Sequence, residues 1–311
     1  MNRPKSLLCM ALFAGLAGAA LAAEGPAAVP IPTTGSNHIW GDRLLFHQWR
    51  IQRNCISDEC RLLDGANLRY ASGSFDDCRA ALEILKRKRN MPPMRGKAVI
   101  ALHGLGDSRS IMQPLCRHLE EHGYNAFPLA YPSTRQPIAE HAKALAEVLE
   151  NLEGIDEVNL VGYSMGNIVI RHYFGQAAKA HRVDPRIKRV VMLAPPNHGA
   201  QVATELGGQK WFQLAFGESA QELGRFWAWE EANLATPPCE FGIIAGGLGN
   251  GKGFNPLLPG DDDGLVTVDS ARLEGARHWL LVPLPHSMIP RDAKVFDRVL
   301  RFVDEGRFEE P

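Results

Sequence analysis

The hydrophobic positions alternate between short strand-like runs and longer helical stretches from about residue 95 onwards. The apolar runs that predict strands cover residues 97–102, 124–130, 158–161, 189–193, 240–245 and 278–282. Between two of them, Ile138, Ala142, Leu145 and Leu149 recur at the three- and four-residue spacing of a helix. Because strands separated by helices are typical of a covered parallel sheet, we predict an α/β fold. Its mostly parallel central sheet should have helices on both faces.

The segment before this pattern, residues 24–93, is predicted to be a linker and an accessory segment. Two strand-like runs at 49–52 and 61–63 suggest a hairpin. Ser74, with Asp77 three residues later, resembles a capping box, and a helix should follow it. The main domain is then predicted to cover residues 94–311.

The pattern breaks between about residues 200 and 238, where aromatic side chains concentrate outside any strand-like run. They are Trp211, Phe212, Phe216, Phe226, Trp227 and Trp229. Parallel sheets bind ligands at the carboxyl ends of their strands, so this insertion could be a helical cap that contacts substrate. A helix packed in the core is the equal alternative.

Composition narrows the function classes. The chain has 311 residues and a net charge of −1, which gives no reason to expect a nucleic-acid partner. It carries no indication of the oligomeric state.

Residues 1–23 have the pattern of a bacterial signal peptide. A basic start at Arg3 and Lys5 precedes an apolar stretch, and small residues follow around Ala20 and Ala22. A membrane anchor is the alternative, although the stretch is short for a spanning helix. We therefore expect export to the periplasm or beyond.

Five cysteines would remain after removal of residues 1–23, which in an oxidising compartment allows two disulfides and one free thiol. Cys55 and Cys60 are expected to pair across the predicted hairpin turn. Cys116 is expected to be the buried free thiol.

A serine motif follows the third strand of the predicted sheet. Gly162-Tyr163-Ser164-Met165-Gly166 stands between an apolar run and a helical pattern. A sharp strand-to-helix turn exposes the serine hydroxyl, and the helix start directs N–H groups at developing negative charge. Ser164 is therefore the candidate nucleophile.

A serine nucleophile needs a base and an acid. His286 follows the last strand and thus lies at the same sheet edge, although His103 and His198 could also line the site. For the acid we choose Asp263 from three adjacent aspartates, because Gly264-Leu265-Val266 returns the chain to buried structure. A solvated loop or a Ca²⁺ site is the alternative there.

The remaining predicted site residues bind the substrate. The backbone N–H groups of Leu105 and Met165 are the candidate oxyanion donors, and the His103-Gly104 turn directs the first of them toward the serine. His103 and Gly104, together with Trp211, Phe212 and Phe216 of the cap, are expected to contact substrate.

Two other patterns point elsewhere. His118-Leu119-Glu120-Glu121-His122 matches a zinc motif but has no evident third ligand, and residues 246–252 nearly spell a phosphate loop. Gly253 replaces the Ser or Thr that such a loop needs. We expect neither a metal nor another cofactor.

Five motifs in order resemble the α/β-hydrolase superfamily, specifically secreted bacterial esterases and lipases of the triacylglycerol-lipase type. They are residues 103–106, 162–166, 191–197, 263–266 and 285–287. The resemblance implies the same triad of Ser164, Asp263 and His286, and the same oxyanion donors. Asn167 departs from the pattern, since a small residue is frequent at that position.

The resemblance and the residues together predict a serine hydrolase that cleaves small-molecule or lipid carboxylic esters, with transient contact to a lipid surface. An acyltransferase or thioesterase with the same triad is an alternative. A noncatalytic lipid-binding protein on a hydrolase scaffold is another.

Overall fold

The computed structural model describes residues 31–33, 38–200, 217 and 219–309. The predicted signal peptide lies outside the described residues, as do Trp211, Phe212 and Phe216 of the predicted cap. Among the residues that are described, no helix has the length and apolar character needed to cross a membrane.

The N-terminal segment forms a five-stranded antiparallel sheet. Its strands are β1 (Ile31–Pro32), β2 (Trp40–Phe46), β3 (Trp49–Asn54), β4 (Cys60–Leu63) and β5 (Leu68–Gly73), in the order β1-β5-β4-β3-β2. The two predicted strands are present as β3 and β4, and they belong to a larger sheet than the predicted hairpin. β2 escaped prediction because Asp42 and Arg43 interrupt its apolar pattern, and both are nevertheless buried.

Helix α1 (Phe75–Lys88) begins at the predicted capping box. Ser74 Oγ accepts a hydrogen bond from Asp77 N at 3.1 Å, and the Asp77 carboxylate accepts one from Ser74 N at 3.0 Å. These bonds satisfy two backbone donors that a helix start leaves free. The helix buries Cys78 and Leu82.

The second sheet is the predicted parallel one. It consists of β6 (Lys97–Leu102), β7 (Asn125–Leu129), β8 (Glu157–Tyr163), β9 (Ile187–Leu193), β10 (Glu240–Gly246) and β11 (His278–Val282). Every pairing in the order β11-β10-β9-β8-β6-β7 is parallel. All six carboxyl ends therefore lie at one edge.

Helices cover both faces of this sheet, as predicted. They are α2 (Gln113–Glu121), α3 (Ile138–Glu150), α4 (Met165–Lys179), α5 (Trp227–Glu231), α6 (Val268–Ala271) and α7 (Ala293–Glu305). Along β6, Ile100 and Leu102 pack in the cluster that contains α3 and α4 residues, whereas Val99 and Ala101 pack in the cluster with α2 and α7 residues. The alternation follows from the two-residue period of a strand.

The antiparallel sheet shares its core with the parallel one. Ile51 and Leu62 belong to the same buried cluster as Ile100 and Leu160, and α3 packs against β2. The proposed boundary between residues 93 and 94 stays a prediction, and the hydrophobic core runs across it.

All five cysteines of the described residues are free thiols, so the predicted Cys55–Cys60 disulfide is not formed. Cys60 stands opposite Arg53 in the β3–β4 ladder and is 1% exposed, with its side chain in the core. Cys55 lies beyond the end of β3 and is half-buried. Sequence separation alone gave no indication that Cys60 faces the core. Cys116 is a buried free thiol, as predicted.

Candidate active site

Ser164 stands between β8 and α4 in a backbone conformation that non-glycine residues rarely adopt, with φ 53° and ψ −123°. Close packing maintains the turn. A Cβ on Gly166 would lie 2.6 Å from Leu102 O, and one on Gly162 would overlap Asn167 Oδ1. Only glycine allows these approaches. The turn holds the serine side chain at the carboxyl edge of the sheet, where a strained nucleophile is commonly found.

His286 connects the serine to an acid. Its Nε2 lies 3.0 Å from Ser164 Oγ, and its Nδ1 lies 2.7 Å from Asp263 Oδ2. His286 begins a short 3₁₀ helix (His286–Arg291) directly after β11, and Asp263 follows β10. Residues predicted from three separate loops thus form one hydrogen-bonded chain.

The loop backbone fixes the orientation of Asp263. Its Oδ1 accepts hydrogen bonds from Leu265 N at 3.0 Å and Val266 N at 2.8 Å, which leaves Oδ2 for the histidine. The Asp263 carbonyl also accepts from His286 N at 2.8 Å. The carboxylate is 2% exposed, so water competes little for the imidazole.

The carboxylates of the two preceding aspartates accept hydrogen bonds from backbone N–H groups instead. Asp261 accepts from Leu248 N and Gly249 N, and Asp262 accepts from Asn255 N and Gly264 N. Of the three adjacent aspartates, Asp263 is the one whose carboxylate contacts His286.

The two candidate oxyanion donors flank the serine. Met165 N is the first N–H of α4, and Leu105 lies on the loop after β6 and lines the cavity beside Ser164. Neither N–H has a hydrogen-bond partner within the part of the chain that the structure describes. A Cβ on Gly104 would lie 3.1 Å from Ser164 Cβ, so this loop passes directly beside the serine. Two free N–H groups at such a position suit a developing oxyanion.

A mostly apolar cavity of about 330 Å³ opens at Ser164 and His286. Its apolar wall consists of Leu105, Ile111, Pro196, Ala200, Leu223, Leu265 and Val266. Asp107 and Arg291, which the sequence did not single out, also line it. Burial raises the pKa of Asp107, while the nearby His286 and Arg291 oppose that rise. The cavity suits an apolar chain next to a reacting carbonyl.

His103 does not line this cavity, contrary to its prediction as a substrate-binding residue. It is 1% exposed, its Nδ1 lies 2.8 Å from Gly104 O, and its ring stacks on Tyr131 at 4.1 Å. Burial lowers the pKa of His103 to about 4, so the ring is neutral. The buried ring therefore packs next to the loop that carries Leu105, outside the cavity.

Asn167 is a site residue whose role the sequence did not reveal. Its Nδ2 donates to Ser164 O and to Leu193 O, both at 3.0 Å. The side chain therefore ties the serine turn to β9, and it fits because Gly162 has no Cβ. Tyr163 supports the other side, since its hydroxyl donates to His286 O at 3.3 Å.

The described part of the cap, from residue 219 to 238, contributes one residue to the cavity wall. Leu223 lines the cavity, and Trp229, 58% exposed, does not. The predicted contacts of Trp211, Phe212 and Phe216 lie outside the described residues and stay predictions.

The zinc-like motif lies on α2 away from the serine. His118 Nε2 is 3.3 Å from Asp297, on α7. Within residues 38–200 and 219–309, no three His, Cys, Asp or Glu side chains form a group that could hold a metal ion.

Known proteins agree with this architecture. Residues 97–218 match the model of the family described as alpha/beta hydrolase fold. Comparison with curated protein sequences gives no significant match.

Among solved structures, the propeptide form of Bacillus licheniformis lipase BlEst2 aligns at 22% identity with a TM-score of 0.52, over 69% of this chain and 52% of the lipase. The metagenomic carboxyl esterase MGS0156 aligns at 17% identity and a TM-score of 0.50, over 62% of this chain and 65% of the esterase. The family model and these structures show that the chain has the predicted α/β-hydrolase fold.

Proposed function

We propose that this protein is a serine hydrolase that cleaves carboxylic esters. The observation that carries the proposal is the hydrogen-bonded chain from Ser164 Oγ through the His286 ring to Asp263, at 3.0 and 2.7 Å. Nucleophile, base and orienting acid in this geometry are the parts that acyl transfer to serine requires. The hydrolase fold and its lipase and esterase neighbours support the same reading.

In the first half of the reaction, Ser164 Oγ attacks the ester carbonyl carbon and its proton passes to His286 Nε2. Asp263 accepts the Nδ1 hydrogen bond and stabilises the imidazolium. The carbonyl oxygen becomes an oxyanion that accepts hydrogen bonds from Leu105 N and Met165 N. When the tetrahedral intermediate collapses, the alcohol leaves with the proton from His286.

In the second half, water attacks the acyl-serine and gives one proton to His286. The second tetrahedral intermediate uses the same two donors. Its collapse returns the proton to Ser164 Oγ and releases the carboxylic acid. The apolar side chains that line the cavity, among them Leu105 and Val266, would hold the acyl chain during both halves of the reaction.

The test is labelling by a fluorophosphonate together with hydrolysis of p-nitrophenyl esters of increasing chain length. Wild-type protein should be labelled and active, whereas Ser164→Ala should be unlabelled. Ser164→Ala and His286→Ala should each lose about 10⁴-fold or more in turnover, because triad members act as a unit. Near wild-type turnover in either folded variant would end the proposal.

We also propose that residues 1–23 direct export and are removed. The basic start, the apolar stretch and the small residues at its end support this. Mass spectrometry of protein from a bacterial periplasmic fraction should find a mature chain that begins near Ala23 or Glu24. An intact N-terminus in that fraction would contradict cleavage.

A further inference from the structure

A second cavity, of about 270 Å³, lies between the antiparallel sheet and the edge of the parallel sheet. Its lining includes Trp49 and Arg50 of β3 and Gly65, which follows β4. Phe127 of β7, Arg117 of α2 and Arg109, which precedes α2, also line it. It shares no lining residue with the ester cavity. The proposed reaction therefore gives it no role.

The charges in this cavity are unbalanced. Three guanidinium groups line it, from Arg50, Arg109 and Arg117, and Glu120 is the one carboxylate among its lining residues. Burial raises the pKa of Glu120, and the charge of the nearby Arg117 opposes that rise. The apolar side chains of the cavity wall, which include Trp49 and Phe127, solvate these charges poorly.

Arg50 is the most unusual of the three. It is 3% exposed, and its Nη1 and Nη2 donate hydrogen bonds to Asp64 O and Asn67 Oδ1. Its Nε has no hydrogen-bond partner in the described residues and is in an ion pair with Asp42 Oδ1 at 3.9 Å. The Asp42 carboxylate already accepts hydrogen bonds from Gln52 Nε2 and Ala130 N. Burial first, and then the charge of Arg109, lower the pKa of Arg50 to about 10. A buried guanidinium whose carboxylate partner is as far away as 3.9 Å remains costly, and a further anion in the cavity would lower that cost.

Arg109 and Arg117 complete the set at the more open side. Arg109 is half-buried and donates from Nε to Pro128 O at 3.2 Å, and Arg117 is exposed on α2. The planar guanidinium fork suits the oxygens of phosphate and carboxylate groups.

We propose that this cavity binds a small oxyanion of the phosphate class, held by Arg50, Arg109 and Arg117. The oxyanion supplies the negative charge that the cavity wall lacks. Where the phosphate is esterified to an aromatic or apolar group, that group packs on Trp49 and Phe127.

One short stretch of chain contributes to both this cavity and the proposed active site. Arg109 begins the 3₁₀ turn Arg109–Ile111, and Ile111 lines the ester cavity. The same stretch of chain leads back to Leu105, the candidate oxyanion donor. A bound anion should therefore stabilise the folded protein and order this loop.

Binding is tested on Ser164→Ala protein of full length, so that ester chemistry cannot affect the result. Inorganic phosphate is titrated against chloride at constant ionic strength, with calorimetry and thermal unfolding as readouts. Saturable binding and a Tm rise are expected. Absence of both up to about 50 mM phosphate would overturn the proposal.

Variants then locate the site. Arg109→Gln and Arg117→Gln should each weaken phosphate binding at least about tenfold, as expected for loss of a charged hydrogen bond. Arg87→Gln, on the exposed side of α1, is the matched control and should leave binding unchanged. Equal binding in all three variants would show that phosphate binds elsewhere.

Glu120→Gln gives an independent outcome that does not depend on losing function. Removing the opposing carboxylate should tighten phosphate binding, and weaker binding would contradict the proposal. Phenyl phosphate compared with inorganic phosphate identifies the source. Tighter binding of phenyl phosphate, with quenched tryptophan fluorescence, indicates an esterified phosphate over Trp49, and equal binding indicates free phosphate.

Discussion

The Asp263 carboxylate accepts a hydrogen bond from His286 at 2.7 Å, whereas the adjacent Asp262 directs its carboxylate at backbone N–H groups of its own loop. Asp263→Asn should lower kcat by about 10⁴-fold, because the asparagine amide favours the wrong tautomer of His286 and does not stabilise the imidazolium that forms during the reaction. Steady-state hydrolysis of a p-nitrophenyl ester measures the loss.

Asp261→Asn and Asp262→Asn are the controls for that prediction. Both variants should lower the free energy of unfolding and have little effect on turnover, since the two carboxylates accept hydrogen bonds from loop N–H groups at 2.6–3.0 Å. If Asp262→Asn abolishes turnover in folded protein while Asp263→Asn does not, the acid has been misassigned.

Gly166→Ala should inactivate the protein by displacing the oxyanion loop. The added methyl would lie 2.6 Å from Leu102 O and 2.9 Å from His103 O, and neither backbone atom can move without disturbing β6. We expect a turnover loss of at least about 100-fold, the effect of one missing oxyanion donor, together with a lower Tm. Gly123→Ala, whose Cβ would meet nothing within 4 Å, controls for backbone strain alone. Wild-type turnover in Gly166→Ala would contradict the close packing.

Two buried histidines should make the fold sensitive to acid. Burial is the main cause that lowers the pKa of His103 to about 4 and that of His141 to about 3. An unfolded histidine has a pKa near 6.5, so the stabilisation is complete above that pH and is lost as the pH falls toward 4. Each ring should contribute a slope of about 1.4 kcal/mol per pH unit in that window.

Urea unfolding from pH 7 to pH 4 measures this slope. His141→Gln should remove roughly half of it, because glutamine cannot gain the proton. An unchanged slope in that variant would assign the acid sensitivity to other groups.

The apolar cavity should favour medium or long acyl chains over acetate. Leu265 lines the cavity and is 46% exposed, so Leu265→Ala should lower kcat/KM for octanoate about threefold to tenfold and spare acetate. Leu257→Ala, 81% exposed and outside the cavity wall, is the control.

The same chain-length series tests the predicted cap. Replacing Trp211, Phe212 and Phe216 by alanine should flatten the preference while acetate hydrolysis is retained. Equal loss for all esters would mean that these aromatics are core residues.

A buried hydrogen bond should anchor α5 to α4. His172 Nδ1 of α4 donates to Glu230 Oε1 at 2.6 Å, and Glu230 is 0% exposed. Glu230→Ala should lower the free energy of unfolding by about 1–3 kcal/mol, because it leaves a buried polar ring without its hydrogen-bond partner. The exposed neighbour Glu231→Ala should cost less than about 1 kcal/mol. Similar losses from both, in chemical denaturation, would remove the anchoring role.

The parallel sheet and the candidate triad could be predicted from sequence because their signals are local. A strand buried on both faces reads as an apolar run, and Gly-x-Ser-x-Gly requires its glycines wherever the turn forms. His286 and Asp263 followed from position after a strand, since carboxyl ends of parallel strands meet at one edge.

The antiparallel sheet was only partly predictable, because its stabilising contacts are distant in sequence. Asp42 and Arg43 read as exposed charges, yet Asp42 is satisfied by Gln52 and by Ala130, 88 residues away. The roles of Asn167 and His103 were not predicted either. Their side chains contact the loops of the site without lining the cavity, and a local sequence pattern does not show such contacts. Cys60 was wrongly predicted to pair with Cys55, because the local sequence does not show that the Cys60 side chain lies in the core.

Strand β7 is an outer strand of the parallel sheet, and the chain just after it is covered by the N-terminal segment. Asp42 N donates to Ala130 O at 2.8 Å, and the Asp42 carboxylate accepts from Ala130 N at 2.7 Å, so both backbone groups of Ala130 are occupied. An unprotected outer strand is a template for pairing with another chain. A protein shortened to residues 94–311 would lose this cover and expose the core residues that pack against Ile51 and Leu62, and it should self-associate on expression instead of yielding a smaller soluble domain.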